Sequence, residues 1–304
     1  MTALGALVTH ELGVETPPAV ATAARLLAEA AGGVAVLFYG SVLRTGDLSG
    51  VIDFYVLTER VGGGRVRRLA NRWLWPEVSY HEIAVGGETI RAKVATMPLD
   101  IFARAAAGET LDTTIWARFV QPSALVWVRD DASATRVRAA VAAAAVTAAG
   151  FAAMLGPTEG APRAFWKALF AETYRTEFRV EKKGREDQIL TFDPKHFDAL
   201  LPAAWEVAGI GFEAGDEGLK PRLAPDRARA LKRAWKARRR MGKPLNFARL
   251  LKAAFTFDGA ARYALWKIER HTGLAIALTP WRERHPILAA PGVLWRVWRT
   301  AGSR

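Results

Sequence analysis

A chain of 304 residues that is 51% hydrophobic can bury one large core or two ordinary ones. The absence of cysteine excludes disulfides, thiolate metal sites and a cysteine nucleophile, and the five histidines (His10, His81, His196, His271, His285) include no pair at zinc-ligand spacing. A net charge of +13, from 43 basic and 30 acidic residues, favours a polyanionic partner: nucleic acid, an anionic membrane surface or a phosphorylated substrate.

The N-terminus has no basic stretch followed by an apolar core, so no secretory signal is expected. Thr16 is expected to cap a helix with Pro17 near its first turn, running to about Ala31 and ended by Gly32-Gly33. Val34 to Tyr39 is a short apolar run that reads as a strand and stops at Gly40-Ser41. Val51 to Leu57 reads as a second strand, with Asp53 embedded in it. After Gly62-Gly63-Gly64, a basic helix carrying Arg65, Arg67 and Arg68 is expected, then a loop over Asn71 to Pro76. Glu77–Val85 and Glu88–Met97 read as strands joined by a Gly86-Gly87 turn. Helices follow at Leu99–Ala107 and Leu111–Phe119, and a fifth strand at Ser123–Val128. These elements predict an α+β fold: a mixed sheet with helices, then an all-helical part. Beyond Asp130 the pattern is helical: Ala132–Leu155, Ala161–Lys182, Pro194–Ala208, Pro225–Arg240, Phe247–Phe255 and Gly259–His271, and Asp226 to Lys243 is the most basic stretch, including Arg238-Arg239-Arg240. The alanine-rich segment Ala139–Leu155 reads as a buried helix, because alanine is too weakly apolar to hold a membrane span. A domain boundary is placed near residue 130, giving units 1–130 and 131–304. The tail from His285 to Arg304 mixes Trp295 and Trp298 with Arg296, Arg299 and Arg304, a composition suited to a bilayer interface or to a docked terminal helix.

The residues around Gly40 and Asp53 carry the chemistry. A glycine-started helix offers unpaired N–H groups at a positive dipole end, which can hold phosphate. An acid on the next strand can hold a metal ion against that phosphate. The bland alternative is a hairpin with one edge aspartate. The pattern Gly40-Ser41…Asp53 resembles the nucleotidyltransferase superfamily typified by DNA polymerase beta, with one departure: Val51 stands where the first acid of a paired Asp-x-Asp would be. Further segments resemble one branch, the mitochondrial-type phosphatidate cytidylyltransferases, also called the translocator assembly and maintenance family. These are Ile52-Asp53-Phe54, Asn71…Pro76-Glu77-Val78-Ser79-Tyr80, Lys93, Trp116 to Pro122, Tyr174 to Arg179, and Lys252, Thr256, Tyr263 and Lys267. The likeness extends from Phe38 to about Lys267.

The resemblance implies an enzyme that makes CDP-diacylglycerol from CTP and phosphatidate with Mg²⁺. It implies Asp53 as the metal ligand and Asp53, Ser41, Lys93 and Arg118 as the catalytic set. Tyr39, Gly40 and Ser41 would hold the nucleotide, and Tyr174, Arg179, Lys252 and Lys267 the substrate phosphate. Glu59 and Asp47 are candidates for a second metal ligand. Tyr174, Glu177 and Arg179 are expected to share a helix face. His271 reads as a helix-end cation. A single acid suits this chemistry, since a phosphate monoester, with a second pKa of about 6, attacks already ionised. The partners implied are CTP, phosphatidate or a similar anionic lipid phosphate, and an anionic membrane surface. The family name implies mitochondria, but no transit peptide is evident; abundant Ala and Arg with little Lys instead lead to the expectation of a bacterial relative, cytoplasmic and peripheral on the inner leaflet of the membrane. Two other classes stay open: a nucleotidyltransferase acting on a hydroxyl of a small molecule, RNA or protein, and a degenerate domain that binds nucleic acid through its positive face.

Overall fold

The computed structural model describes residues 1–60, 74–177 and 185–301. The basic segment with Arg65, Arg67, Arg68 and Asn71 lies outside them, as does Arg179. In chain order the N-terminal half runs α1 (Ala3–Leu12), α2 (Pro18–Ala31), β1 (Gly33–Tyr39), α3 (Ser41–Thr45), β2 (Val51–Thr58), β3 (Glu77–Val85), β4 (Glu88–Pro98), α4 (Leu99–Ala106), α5 (Thr114–Phe119) and β5 (Ser123–Val128). Then come α6 (Asp131–Leu155), α7 (Pro162–Thr176), α8 (Arg185–Phe192), α9 (Pro194–Val207), a small hairpin β6 (Gly211–Ala214) and β7 (Leu219–Arg222), α10 (Pro225–Thr256), α11 (Ala260–Thr272), α12 (Pro280–Arg284) and α13 (Pro286–Ala301).

The fold is the expected α+β: a five-stranded mixed sheet ordered β3-β4-β2-β1-β5, with helices following. Only β2 and β4 run parallel; the other pairs are antiparallel. Side chains alternate between the two faces of a strand, so the register sorts them. Val36, Phe38, Ile52, Phe54, Val56 and Val94 face α2 and meet its Val20, Ala24 and Leu27. On the other face, Leu37, Tyr55, Leu57, Ala95 and Met97 join Phe102, Trp116 and Phe119 beneath α4 and α5. Each such fully buried side chain contributes roughly 1.5–3 kcal/mol.

That second core does not stop at residue 130. It continues through α6, α7, α9 and Trp235 of α10. Helix α6 is roughly 37 Å long at 1.5 Å per residue. By length and composition it could cross a membrane, yet 61% of its most apolar window is buried in the fold. Its alanines let neighbours approach closely. Two of the bulky partners have their polar atoms satisfied: Trp166 Nε1 donates to the Phe197 carbonyl and Trp205 Nε1 to the Ala149 carbonyl, each at 2.9 Å, whereas the buried Nε1 atoms of Trp116 and Trp235 have no partner among the described residues.

Four readings of the sequence are corrected. Helix α2 begins at Pro18 with Pro17 at its N-cap, so Thr16 does not cap it. The expected helices Pro225–Arg240 and Phe247–Phe255 are one helix, α10, running through Gly242 and Pro244. Gly242 is what permits it: a Cβ there would lie 2.4 Å from the Thr176 carbonyl oxygen, so the bare backbone packs onto the end of α7. Arg238 belongs to the core and not to a basic surface. It is 4% exposed, donates to the Gly108 and Thr110 carbonyls at 2.6 and 2.8 Å, and lies 4.9 Å from the Phe151 ring. Finally, α7 ends at Thr176, and Glu177 is an extended cap with φ −87° and ψ 149°, which takes it off the helical face shared by Tyr174.

Candidate functional site

Pairing across the sheet aligns Tyr80, Lys93, Asp53, Tyr39 and Ser123 in one row on one face. The chain leaves β1 at Tyr39, turns at Gly40 and enters α3 at Ser41. Gly40 has φ +97°, a conformation that suits glycine, and a Cβ would come within 2.9 Å of Asp53 Oδ2. The turn and the carboxylate are therefore in direct apposition.

Asp53 is surrounded by cations. Burial pushes its pKa up, while Lys93, Arg118 and Arg44 pull it down. Arg118 comes from α5 and lies against two neighbouring rings, 5.0 Å from Tyr39 and 5.6 Å from Tyr55, donating to Tyr55 Oη at 2.7 Å. Burial works against its charge, but Tyr39, Tyr55, Glu177 and Asp53 outweigh that and hold its pKa above the ordinary arginine range. Helix α11 closes the site from above. Its N-cap Gly259 packs on the Tyr80 carbonyl, and Tyr80 N–H donates to the Asp258 carbonyl at 2.9 Å. Tyr263 then stacks on Tyr80 at 5.3 Å, and both burial and Asp53 raise its pKa. At the far end of α11, Arg270 donates to the Ser49 carbonyl at 2.8 Å and lies 5.3 Å from the Trp266 ring. The helix thus bridges β3 and the loop before β2.

Next to this row is a cavity of about 390 Å³, whose walls include Trp75, Thr114, Arg118, Glu177, Arg249 and Lys252. Arg118 belongs to both places. Glu177 accepts from the Thr113 and Thr114 hydroxyls. Arg249 pairs with buried Asp112 and lies 4.5 Å from the Trp75 ring; its Nε and Nη2 have no hydrogen-bond partner among the described residues. Lys252 Nζ donates to the Leu74 carbonyl at 2.6 Å.

Of the expected residues, Tyr39, Gly40, Ser41, Asp53, Lys93 and Arg118 converge. Lys252 sits in the adjoining cavity, and Lys267 is on α11, 6.0 Å from the Tyr263 ring. Tyr174 packs against the helical core. Of the expected second ligands, Glu59 is placed elsewhere. Glu59 lies six residues beyond Asp53, roughly 20 Å along the strand, and is bound to Arg129 and Arg136, each at 3.2 Å. Asp47 accepts from Ser49 N–H at 2.9 Å, which lowers its pKa and commits it to the loop. Val51 stands opposite Arg91. The acid in that row is Glu82, two strands from β2, held by Tyr80 Oη at 3.0 Å and Arg91 at 3.7 Å. Sequence reasoning missed Arg249. A signal existed: Arg249, Lys252 and Thr256 recur at spacings of three and four on α10, which defines one helical face.

No protein-family model matches the chain, and no curated protein matches it.

The donor set was tested against a magnesium ion. Among the described residues there is no cluster of three His, Asp or Glu side chains. Mg²⁺ is commonly held by one or two carboxylates, with substrate phosphates and water completing its octahedron. A lone Asp53 against the Gly40–Ser41 turn fits that pattern. Asp53 would hold the ion, which would supply charge neutralisation at the phosphates.

Proposed function

We propose that this chain is a CTP-dependent cytidylyltransferase acting on phosphatidate or a related lipid phosphate, releasing pyrophosphate. The observation that carries the reading is the row Tyr80–Lys93–Asp53–Tyr39 with Arg118 above it and Val51–Arg91 in place of a second strand carboxylate. A hydroxyl acceptor must lose a proton, and polymerase-like sites supply several carboxylates for that work. A phosphate monoester brings its own negative oxygen. That oxygen attacks the α-phosphorus, the bond from the α-phosphorus to the bridging oxygen breaks, and pyrophosphate leaves with both electrons. No proton moves.

The protein's task is then to hold two polyanions in line and neutralise them. The amides at Gly40 and Ser41 cradle the triphosphate. Lys93 and Arg118 flank the reacting phosphates from the sheet side. Arg249 and Lys252 receive the acceptor phosphate in the adjoining cavity, and Arg118, common to both places, lies between donor and acceptor. Substituting Val51 would not be needed for activity in this scheme, whereas Asp53 would be indispensable. The test is radiolabelled CTP with phosphatidate vesicles and Mg²⁺. Wild type is expected to form CDP-lipid, and Asp53→Asn to lose at least about a hundredfold, the scale of removing one preorganised electrostatic partner. Absence of product from wild type, or full activity in Asp53→Asn, refutes the proposal.

A further inference from the structure

The C-terminal helices enclose a second cavity that the cationic site does not explain. It measures about 440 Å³ and lies between α10, α11, α12 and α13. Its walls include Ala253, Ala261, Ala264, Ile268, Ala289 and Val293. Among the described residues, Arg282 is the one charged residue on these walls, and its guanidinium already donates to the Ala277 carbonyl. The volume falls within the ~300–1,000 Å³ range of ligand pockets. The space is open to solvent on one side, and small side chains such as Ala253, Ala261 and Ala264 leave it unfilled.

Two features say what fits there. First, Ala253 lines both this groove and the cationic cavity, while its neighbour Lys252 and Arg249, one turn earlier on the same helix, line only the cationic one. Polar and apolar compartments therefore share a wall. Second, α11 is two-faced. Tyr263, Trp266 and Arg270 engage the sheet and the loop before β2, while Ala261, Ala264, Leu265 and Ile268 line the groove. The occupant must carry a charged phosphate and a slender apolar chain on one molecule, and a nucleotide has no such part.

We infer that this groove receives an acyl chain of the lipid phosphate whose head group lies in the adjoining Arg118–Arg249–Lys252 cavity. The inference rests on the cytidylyltransferase reading for the identity of that head group. It makes the enzyme one that draws a single chain out of the bilayer and measures it against α11 and α13. Selectivity then depends on chain length.

The test uses the full chain. Ala264 is exposed toward the groove, so Ala264→Trp places bulk in empty space without entering the core; Ala289→Leu fills it from α13. With dioleoyl phosphatidate in micelles of an uncharged detergent, each variant is expected to lose tenfold or more in kcat/KM. With dihexanoyl phosphatidate each should stay within twofold of wild type. Equal effects on both substrates, or none, overturn the inference and leave the activity standing. A binding readout separates the two proposals. A lysophosphatidate carrying an acyl diazirine is photolysed on the protein and the labelled peptides are mapped. Labelling of α11 and α13, lost in Ala264→Trp and blocked by dodecyl phosphate but not by dodecanol, is the expected result. Such labelling without any CDP-lipid would keep the groove assignment and refute the enzyme assignment. Labelling elsewhere, or equal competition by dodecanol, overturns the groove assignment.

Discussion

Glu11 and His196 give the fold a sharp dependence on pH. Ser123 N–H donates to Glu11 Oε1 at 2.9 Å, and Oε2 lies 3.3 Å from His196 Nδ1, with both side chains little exposed. On its other side, His196 Nε2 is 3.1 Å from the Val120 carbonyl, which can only accept, so Nε2 carries a hydrogen. One proton is therefore left for the gap between Nδ1 and Oε2. Burial pushes the Glu11 carboxyl up to about 8 despite the Ser123 hydrogen bonds, with Asp193 adding to the rise, and burial lowers His196. The unfolded chain loses its last proton from this pair near the ordinary histidine value of about 6.5. The folded pair keeps one to about 8. The folded state thus binds more protons in that window, and stability falls as pH rises through it. At about 1.4 kcal/mol per unit over some 1.5 units, the loss is about 2 kcal/mol. Glu11→Gln can still accept from Ser123 and donate to Nδ1, but it cannot ionise. Urea unfolding at pH 6.5 and 8.5 should show a drop of about 2 kcal/mol in wild type and a flat response in Glu11→Gln. A wild-type stability that is level or rises across this interval would refute the shared-proton argument.

Three further substitutions probe the site and its support. Arg118→Lys keeps the charge but cannot stack against Tyr39 and Tyr55 while donating to Tyr55 Oη, so CDP-lipid formation is expected to fall at least tenfold with folding intact by circular dichroism. Gly40→Ala places a methyl 2.9 Å from Asp53 Oδ2 at a φ of +97°; it should cost roughly 1–3 kcal/mol in urea unfolding and abolish activity. Gly242→Ala would drive a methyl into the Thr176 carbonyl, and the same roughly 1–3 kcal/mol is expected as overpacking, read by thermal melting.

Strand alternation and glycine punctuation made the sheet legible: Glu77–Val85 and Ser123–Val128 have the expected ends, because a two-residue period and flanking turns act locally. The convergence of Gly40 and Asp53 was legible for the same reason, since the two sit on adjacent elements. Helix α1 was not foreseen, although Leu4, Val8 and Leu12 repeat every four residues; the segment carries few strong apolar side chains and gains its stability by docking on α6. The break expected between Arg240 and Phe247 failed for a tertiary reason: contact with Thr176 outweighs the local cost of Gly242 and Pro244. Arg238 misled because a run of three arginines reads as solvated, whereas the carbonyls that receive it come from residues 108 and 110. Arg249 and Glu177 meet Arg118 from three remote parts of the chain, a proximity that no local pattern encodes.

Helix α10 is a rod of roughly 48 Å fixed in the helical core through Trp235 and Arg238, with the cavity-lining residues Arg249, Lys252 and Ala253 near its opposite end. Between them lies Pro244, which offers no hydrogen to the carbonyl four residues before it. Any guest that pushes on the distal segment therefore meets a beam clamped at its root and notched at mid-span. The notch is where any bending strain would collect.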